Sequence, residues 1–135
     1  MVAYRVSVPT PCDHTLRVTV RVDQPGAALV FSIPAWTPGS YLIREFSRYL
    51  GEPRCTGSSG APVACRKVDK GTWTVDAAGE AWVEVAYEVY AHELTVRTPH
   101  VDASHAFFTG TNALVYVHGR TAEAHALRVE VPPGW

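Results

Sequence analysis

The side chains able to do metal or acid–base chemistry are few and scattered along this sequence. Of its six histidines, His92 opens "HELTV", the start of the zinc-peptidase pattern H-E-x-x-H. That pattern sets two histidines one helical turn apart on a metal, with the Glu as base. Val96 stands where the second histidine belongs, so the pattern is broken. The run "HVDASH" carries His100, Asp102 and His105. A loop folded back on itself would let these three chelate, but a polar loop with solvated histidines is the simpler reading. A small metalloenzyme built on His92, His100 and His105 therefore ranks last among the functions considered.

The cysteines add little. Cys12 sits between Pro11 and Asp13, and neither neighbour would activate a thiolate. Cys55 and Cys65 flank "TGSSGAPVA", and a hairpin turning near Gly60 would set them opposite each other. A cross-strand disulfide is open there, though two reduced thiols fit so thin a signal better. There is no C-x-x-C, no G-x-S-x-G and no Gly-rich phosphate loop ahead of a helix. A Ser-His-Asp set assembles in space, yet nothing singles out a nucleophile. The chain by itself reads as non-catalytic, with no metal and no cofactor of its own.

The elements that must position any site are strands. With 135 residues, 47% of them hydrophobic and 19% charged, the chain has the composition of one globular domain spanning 1–135. A net charge of -1, with no basic run among aromatics, gives no reason to expect nucleic acid or an anionic membrane. The apolar runs are too short to cross a bilayer as helices. No secretory signal is visible at the start, which leaves cytoplasmic and periplasmic residence both open. In "HTLRVTVRV" His14, Leu16, Val18, Val20 and Val22 alternate with Thr15, Arg17, Thr19 and Arg21, the pattern of a half-buried strand. "WVEVAYEVYA" repeats it, with Val83, Val85, Tyr87 and Val89 inward. Shorter strands are expected at Tyr4–Val8, Leu29–Ile33, Val63–Val68, Trp73–Val75, Leu94–Arg97, Ala113–Val117 and Leu127–Val131. The turn-rich joints "DQPGA", "DKGT" and "DAAGE" separate them. Together these predict an all-β fold, an antiparallel β-sandwich or curled sheet with at most one short helix. That helix would be a turn within "SYLIREFSRYL", running into a strand.

One stretch is denser than the rest. In "PAWTPGSYLIREF" Pro34 ends the preceding strand, and Pro38-Gly39 suits a type II turn that projects Trp36 and Tyr41. Arg44 and Glu45 are adjacent and need separate partners. A rigid corner whose aromatics cap the core would account for the stretch. So would a docking surface, because Trp, Tyr and Arg are enriched at interface hot spots.

"PAWTPGSYLIREFSRYL" resembles the signature near the start of the glycyl aminopeptidases, zinc metallopeptidases with a zincin-type catalytic domain followed by a PDZ domain. "KVDKGTWTV", the long run from Val83 to Gly119 and the closing "VEVPPGW" resemble the same amino-terminal region, in the same order. The insertion "GEPRCTGSSGAPVAC" resembles it least. The resemblance implies a non-catalytic amino-terminal β domain whose catalytic domain would follow Trp135. It also implies that zinc and peptidase chemistry belong to the parent enzyme, a zinc metallo-aminopeptidase. The implied partners are the catalytic domain of the same polypeptide and the parent enzyme's peptide substrate. On this reading Trp36, Tyr41, Arg44, Glu45, Arg97 and Asn112 are interdomain or substrate-rim residues, with "FFTGTN" approaching the cleft. A rival placement puts Trp36, Tyr41 and Phe108 in the core. An apolar patch left open for the catalytic domain would favour self-association of the isolated chain. The alternative function is a self-standing β-sandwich binding a peptide or carbohydrate on an aromatic surface of Trp36, Tyr41 and Tyr49.

Overall fold

Strict alternation decides where the nine-residue strands lie. In the computed structural model, which describes residues 1–34, 50–91, 99–108 and 110–135 without the side chains of 111 and 112, two of them pair antiparallel. They are β2 (Thr15–Asp23) and β7 (Trp82–Tyr90), in register from Thr15 opposite Tyr90 to Asp23 opposite Trp82. Leu16, Val18, Val20 and Val22 face inward on one, and Val83, Val85, Tyr87 and Val89 on the other, all buried. A fully buried Val contributes roughly 1.5–3 kcal/mol before conformational entropy is charged against it, so this double row is a principal source of stability. Arg17 and Glu88 pair at 3.6 Å on the solvent face.

Around this pair the chain adds β1 (Val2–Ser7), β3 (Ala28–Ser32), β4 (Arg54–Gly57), β5 (Cys65–Asp69) and β6 (Thr72–Asp76). Farther on come β8 (His100–Val101), β9 (Ala106–Phe107), the helical turn α1 (Gly110–Ala113), β10 (Tyr116–Val117) and β11 (His125–Glu130). One sheet has the order β11-β1-β2-β7-β4 and the other β10-β3-β6-β5, with β8 and β9 forming a small hairpin. Both sheets feed one core, where the stacked Phe31 and Trp73 rings of the second sheet join the valines of the first. The fold is the expected all-β sandwich of short strands. One pairing departs from antiparallel: β1 and β11 run parallel, Val2 opposite His125 through Ser7 opposite Glu130.

Several local expectations need correction. His14 is not on the inward face of β2; it takes φ 56° and caps the 3-10 turn Pro11–Asp13, its N–H donating to the Pro11 carbonyl at 3.1 Å. Ala113–Val117 is not one strand, because Ala113 closes α1 and Tyr116–Val117 alone pairs with β3. Tyrosine hydroxyls take the place of a ladder in between. Tyr87 Oη donates to the Ala113 carbonyl at 2.7 Å and accepts from Val115 N–H at 3.0 Å, and Tyr4 Oη donates to the Val115 carbonyl at 2.8 Å.

A tight hairpin does turn near Gly60, which has φ 86°. It sets Cys55 beside Val63, whose N–H donates to the Cys55 carbonyl at 3.0 Å. Cys65 then crosses to the second sheet opposite Val75, while Cys55 lies opposite Val85 in the first. All three cysteines are free thiols, and those of Cys55 and Cys65 hydrogen-bond to each other. Burial, with Cys65 nearby, pushes the Cys55 thiol well above its ordinary range.

The expected strand Leu94–Arg97, the Pro38-Gly39 turn and "SYLIREFSRYL" up to Tyr49 lie outside the described residues. Leu50 is described and bridges to Val89.

Candidate functional site

β11 is an edge strand whose apolar side chains have been given no cover. Parallel register places Leu127 beside Tyr4 and Val129 beside Val6, on the core-facing side of the sheet. The stacking of His125 on Tyr4, 5.9 Å between ring centroids, fixes that facing. Tyr4 and Val6 are 8% and 0% exposed, yet Leu127 and Val129 are 54% and 51% exposed, and Val131 follows at 61%. The tyrosine-held segment 113–115 covers β1, and among the described residues nothing extends cover to β11. Arg128 and Glu130 occupy the opposite face of β11, and Glu130 is held by Arg5 through contacts of 2.9 and 3.2 Å. An inward-facing row of β-branched and leucyl side chains at a sheet edge is a surface prepared for burial against something else.

The β8–β9 hairpin is met by the last residue of the described chain. Its turn is organised by Asp102, whose Oδ1 accepts from Ser104 N–H and Ser104 Oγ, each at 2.7 Å, and from His105 N–H at 3.0 Å. The other oxygen, Oδ2, accepts from His100 Nε2 at 3.0 Å. These donors, Ser104 first and His100 next, hold the Asp102 carboxyl far below the usual carboxylate range. His105 Nδ1 lies 3.4 Å from Asp102 Oδ1, and the His100 and His105 rings are 5.3 Å apart. One ligand atom from each of His100, Asp102 and His105 falls within 4.8 Å of the other two. The loop has folded back, and the expectation of solvated histidines fails at His100, which is 7% exposed. Trp135 Nε1 donates to the Ala103 carbonyl at 3.1 Å, tying the closing residues to this turn.

A second polar knot joins two turns. Arg120 donates to the Glu123 carboxylate at 2.6 and 2.7 Å and to the Asp23 and Gln24 carbonyls at 2.8 and 3.1 Å. With the Met1 amine 3.2 Å away as well, the Glu123 carboxyl is pulled down to about 2, chiefly by Arg120. This knot has no cleft and no nucleophile, and it reads as a structural clasp.

An open groove of about 570 Å³ runs past Arg17, Glu52, Arg54 and Glu88 on the solvent face of the first sheet. Among the described residues that line this groove no nucleophile and base come together. Elsewhere Ser32 Oγ lies 2.7 Å from both His118 Nε2 and Thr72 Oγ1, and Ser104 Oγ lies 2.8 Å from His105 Nδ1 while donating to Asp102, so both hydroxyls are held in local hydrogen bonds.

Of the residues expected at an interdomain or substrate rim, Trp36, Tyr41, Arg44, Glu45 and Arg97 lie outside the described residues, as does His92. Asn112 belongs to α1, and its side chain is outside the description. Phe108 is partly buried against the core, and Phe107 on β9 is exposed. Reasoning from sequence missed the bare face of β11 and the two tyrosine hydroxyls that hold the 113–115 backbone. A Tyr at an otherwise valine-filled inward position was the available signal for the second of these.

Residues 3–135 match the model of the Peptidase M61 N-terminal domain. Among solved structures, the chain is similar to an aminopeptidase N family protein from Idiomarina loihiensis, with 30% identity and a TM-score of 0.93. The match covers 98% of this chain and 22% of that one, so this chain spans about a fifth of the length of the solved protein. No match is found among curated proteins.

Proposed function

The chain belongs to the peptidase M61 N-terminal domain family, and from that membership we propose that it is the accessory β domain of a glycyl-aminopeptidase-like zinc metallopeptidase. It packs on the catalytic domain of the same polypeptide and helps shape the pocket for the substrate's amino terminus. The observation that carries this reading is the uncovered pair Leu127 and Val129 on the core-facing side of an edge strand, with exposed Val131 just beyond it. A domain that evolved to stand alone would hide or charge such a row. The 22% share of the related solved chain supports a polypeptide with ample mass to cover it.

The catalytic zinc does not fit this chain. His92 begins an H-E-x-x-H that Val96 breaks, and the cluster His100, Asp102 and His105 has no glutamate base within it. Peptide hydrolysis is therefore assigned to the remainder of the enzyme, and no step of it runs through these residues. What this domain contributes is shape and apolar contact. The stretch 107–112 would approach the cleft with Asn112 as a polar contact. Trp36, Tyr41, Arg44, Glu45 and Arg97 would form the docking surface or its rim.

An immunoblot of source cells with an antibody against this chain is the test. The expected product is several times larger than 14.7 kDa; a product of the same size refutes the accessory role. In the full-length enzyme, Leu127→Asp with Val129→Asp should lower stability and peptidase activity together. Charge reversal at Glu45 separates rim from bystander, because unchanged kinetics and stability would strike it from the docking surface.

A further inference from the structure

We propose that His100, Asp102 and His105 form a binding site for a divalent transition metal of the zinc class, a structural clamp on the β8–β9 hairpin. The inference departs from the expectation of a metal-free chain and does not depend on the accessory-domain reading. The donor set is two imidazoles and one carboxylate, the chemistry that suits zinc, cobalt, nickel or copper better than calcium or magnesium. Two atoms about 2.1 Å from a shared metal lie roughly 3.0–3.4 Å apart at bond angles of about 90–110°. His100 Nε2 to Asp102 Oδ2 is 3.0 Å and His105 Nδ1 to Asp102 Oδ1 is 3.4 Å. The first distance matches a metal shared through Oδ2; the second is to the other carboxylate oxygen, and with one ligand atom of each residue within 4.8 Å of the other two, His105 completes the set by rotating its side chain.

The supports behind these ligands are also in place. Asp102 is held in one orientation by three hydrogen bonds from Ser104 and His105 on Oδ1, which leaves Oδ2 directed at His100. Partners of this kind behind a ligand fix its geometry and raise affinity. His100 is buried beside Val101, so its ring has little freedom to lose on binding. His105 is exposed and swings onto the metal by side-chain rotation alone. On binding, the metal takes the position of the hydrogen on His100 Nε2: a neutral ring shifts that proton to Nδ1, and a protonated ring releases it to solvent and retains the one on Nδ1. Ser104 Oγ lies 2.8 Å from His105 Nδ1 and gives up that contact when His105 turns to the metal.

The position gives the clamp a purpose. The hairpin turn receives the Trp135 indole at Ala103, and its second strand ends at Phe107, three residues before α1 in the chain. A metal bridging the strand residue His100 to the turn residues Asp102 and His105 would stiffen both features at once.

The test uses the 135-residue chain without an affinity tag, in a Cys12→Ser background so that the exposed thiol does not compete. Zinc chloride is added in calorimetric titration, and cobalt chloride in visible spectroscopy. The expected result is one zinc per chain, a cobalt spectrum of low-symmetry nitrogen and oxygen ligation, and a zinc-dependent rise in melting temperature. His105→Ala, a change at an exposed side chain, should weaken zinc at least about tenfold and abolish the rise while leaving the metal-free melting temperature intact. Absence of stoichiometric zinc binding overturns the proposal. So does equal zinc affinity in His105→Ala. Should the variant unfold, zinc-induced shifts of the His100 and His105 imidazole resonances in the Cys12→Ser chain decide the matter, and shifts confined to His14, His118 or His125 refute it.

Discussion

Replacing Tyr87 by Phe removes one oxygen atom and strips two buried backbone groups of their partner. The hydroxyl donates to the Ala113 carbonyl at 2.7 Å and accepts from Val115 N–H at 3.0 Å. Ala113 and Val115 are both buried, and water does not replace what is lost. A buried donor or acceptor left without a partner costs about 1–3 kcal/mol. The Val115 N–H bears the full penalty and the Ala113 carbonyl a lesser one, so the sum is roughly 2–4 kcal/mol. Unfolding entropy near 2.1 cal/mol/K per residue converts that, for a chain of this length, to a melting temperature lowered by about 7–14 °C. Tyr4→Phe removes a single bond of 2.8 Å to the Val115 carbonyl and should cost about 1 kcal/mol. Because both tyrosines hold the same peptide segment, the double variant should fall short of the sum. Thermal melts followed by circular dichroism read all three. A drop of under about 2 °C for Tyr87→Phe would refute the view that these hydroxyls replace a strand ladder at 113–115.

Four further outcomes are expected. Glu123 has its carboxyl lowered from 4.5 to about 2 in the fold, so its contribution is fully present above about pH 5 and is lost as pH falls towards 2. Urea midpoints should accordingly decline across that window, and Glu123→Gln should flatten the decline. Ellman titration should find Cys12 reacting quickly in the native chain, Cys55 protected, and three thiols in denaturant. Gly57→Ala would drive a Cβ into the Glu80 carboxylate, which Ser58 fixes through bonds of 2.7 and 2.8 Å. A loss of about 1–3 kcal/mol should follow, partly rescued by Glu80→Ala, and full additivity of the two changes would argue against the contact. Leu127→Ser with Val129→Ser should abolish concentration-dependent association of the isolated chain in sedimentation velocity. Association that persists would move the sticky surface elsewhere.

Long alternating runs were legible because one face of each is buried over its whole length. Nothing competes with period two in β2 or β7. Short elements are different. β8 and β9 have two residues each, too few to show a period, and they exist because the Asp102 turn and the hydrogen bond from Asp102 N–H to the His105 carbonyl close the hairpin. β4 hides in the insertion between Gly51 and Cys65, where Pro, Gly and Ser outnumber apolar residues, and only pairing with β7 makes it a strand. The segment 113–117 read as a strand because its apolar residues fit one, while the tyrosines that reorganise it lie 26 and 111 residues away. β11 shows a deeper limit. Leu127, Arg128, Val129, Glu130 and Val131 alternate identically whether the cover over them comes from this sheet pair or from outside it, so sequence shows the apolar face and not its occupant. The His100–Asp102–His105 cluster was visible as residue types, but its closure depended on the turn.

The parallel junction of β1 and β11 has a consequence for how the domain comes into being. Arg5 and Glu130, which clasp across it, are 125 residues apart in the chain. Until β11 emerges, the outer edge of β1 offers its peptide groups to any passing strand, and closing so long a loop is among the slowest steps available to a small β protein. At a synthesis rate of about 5–20 residues per second the edge stays open for roughly 6–25 s. The nascent domain is therefore most vulnerable to strand exchange with a neighbour on the same polysome. Arg5, the one charged residue of β1, is of the kind that discourages such edge pairing.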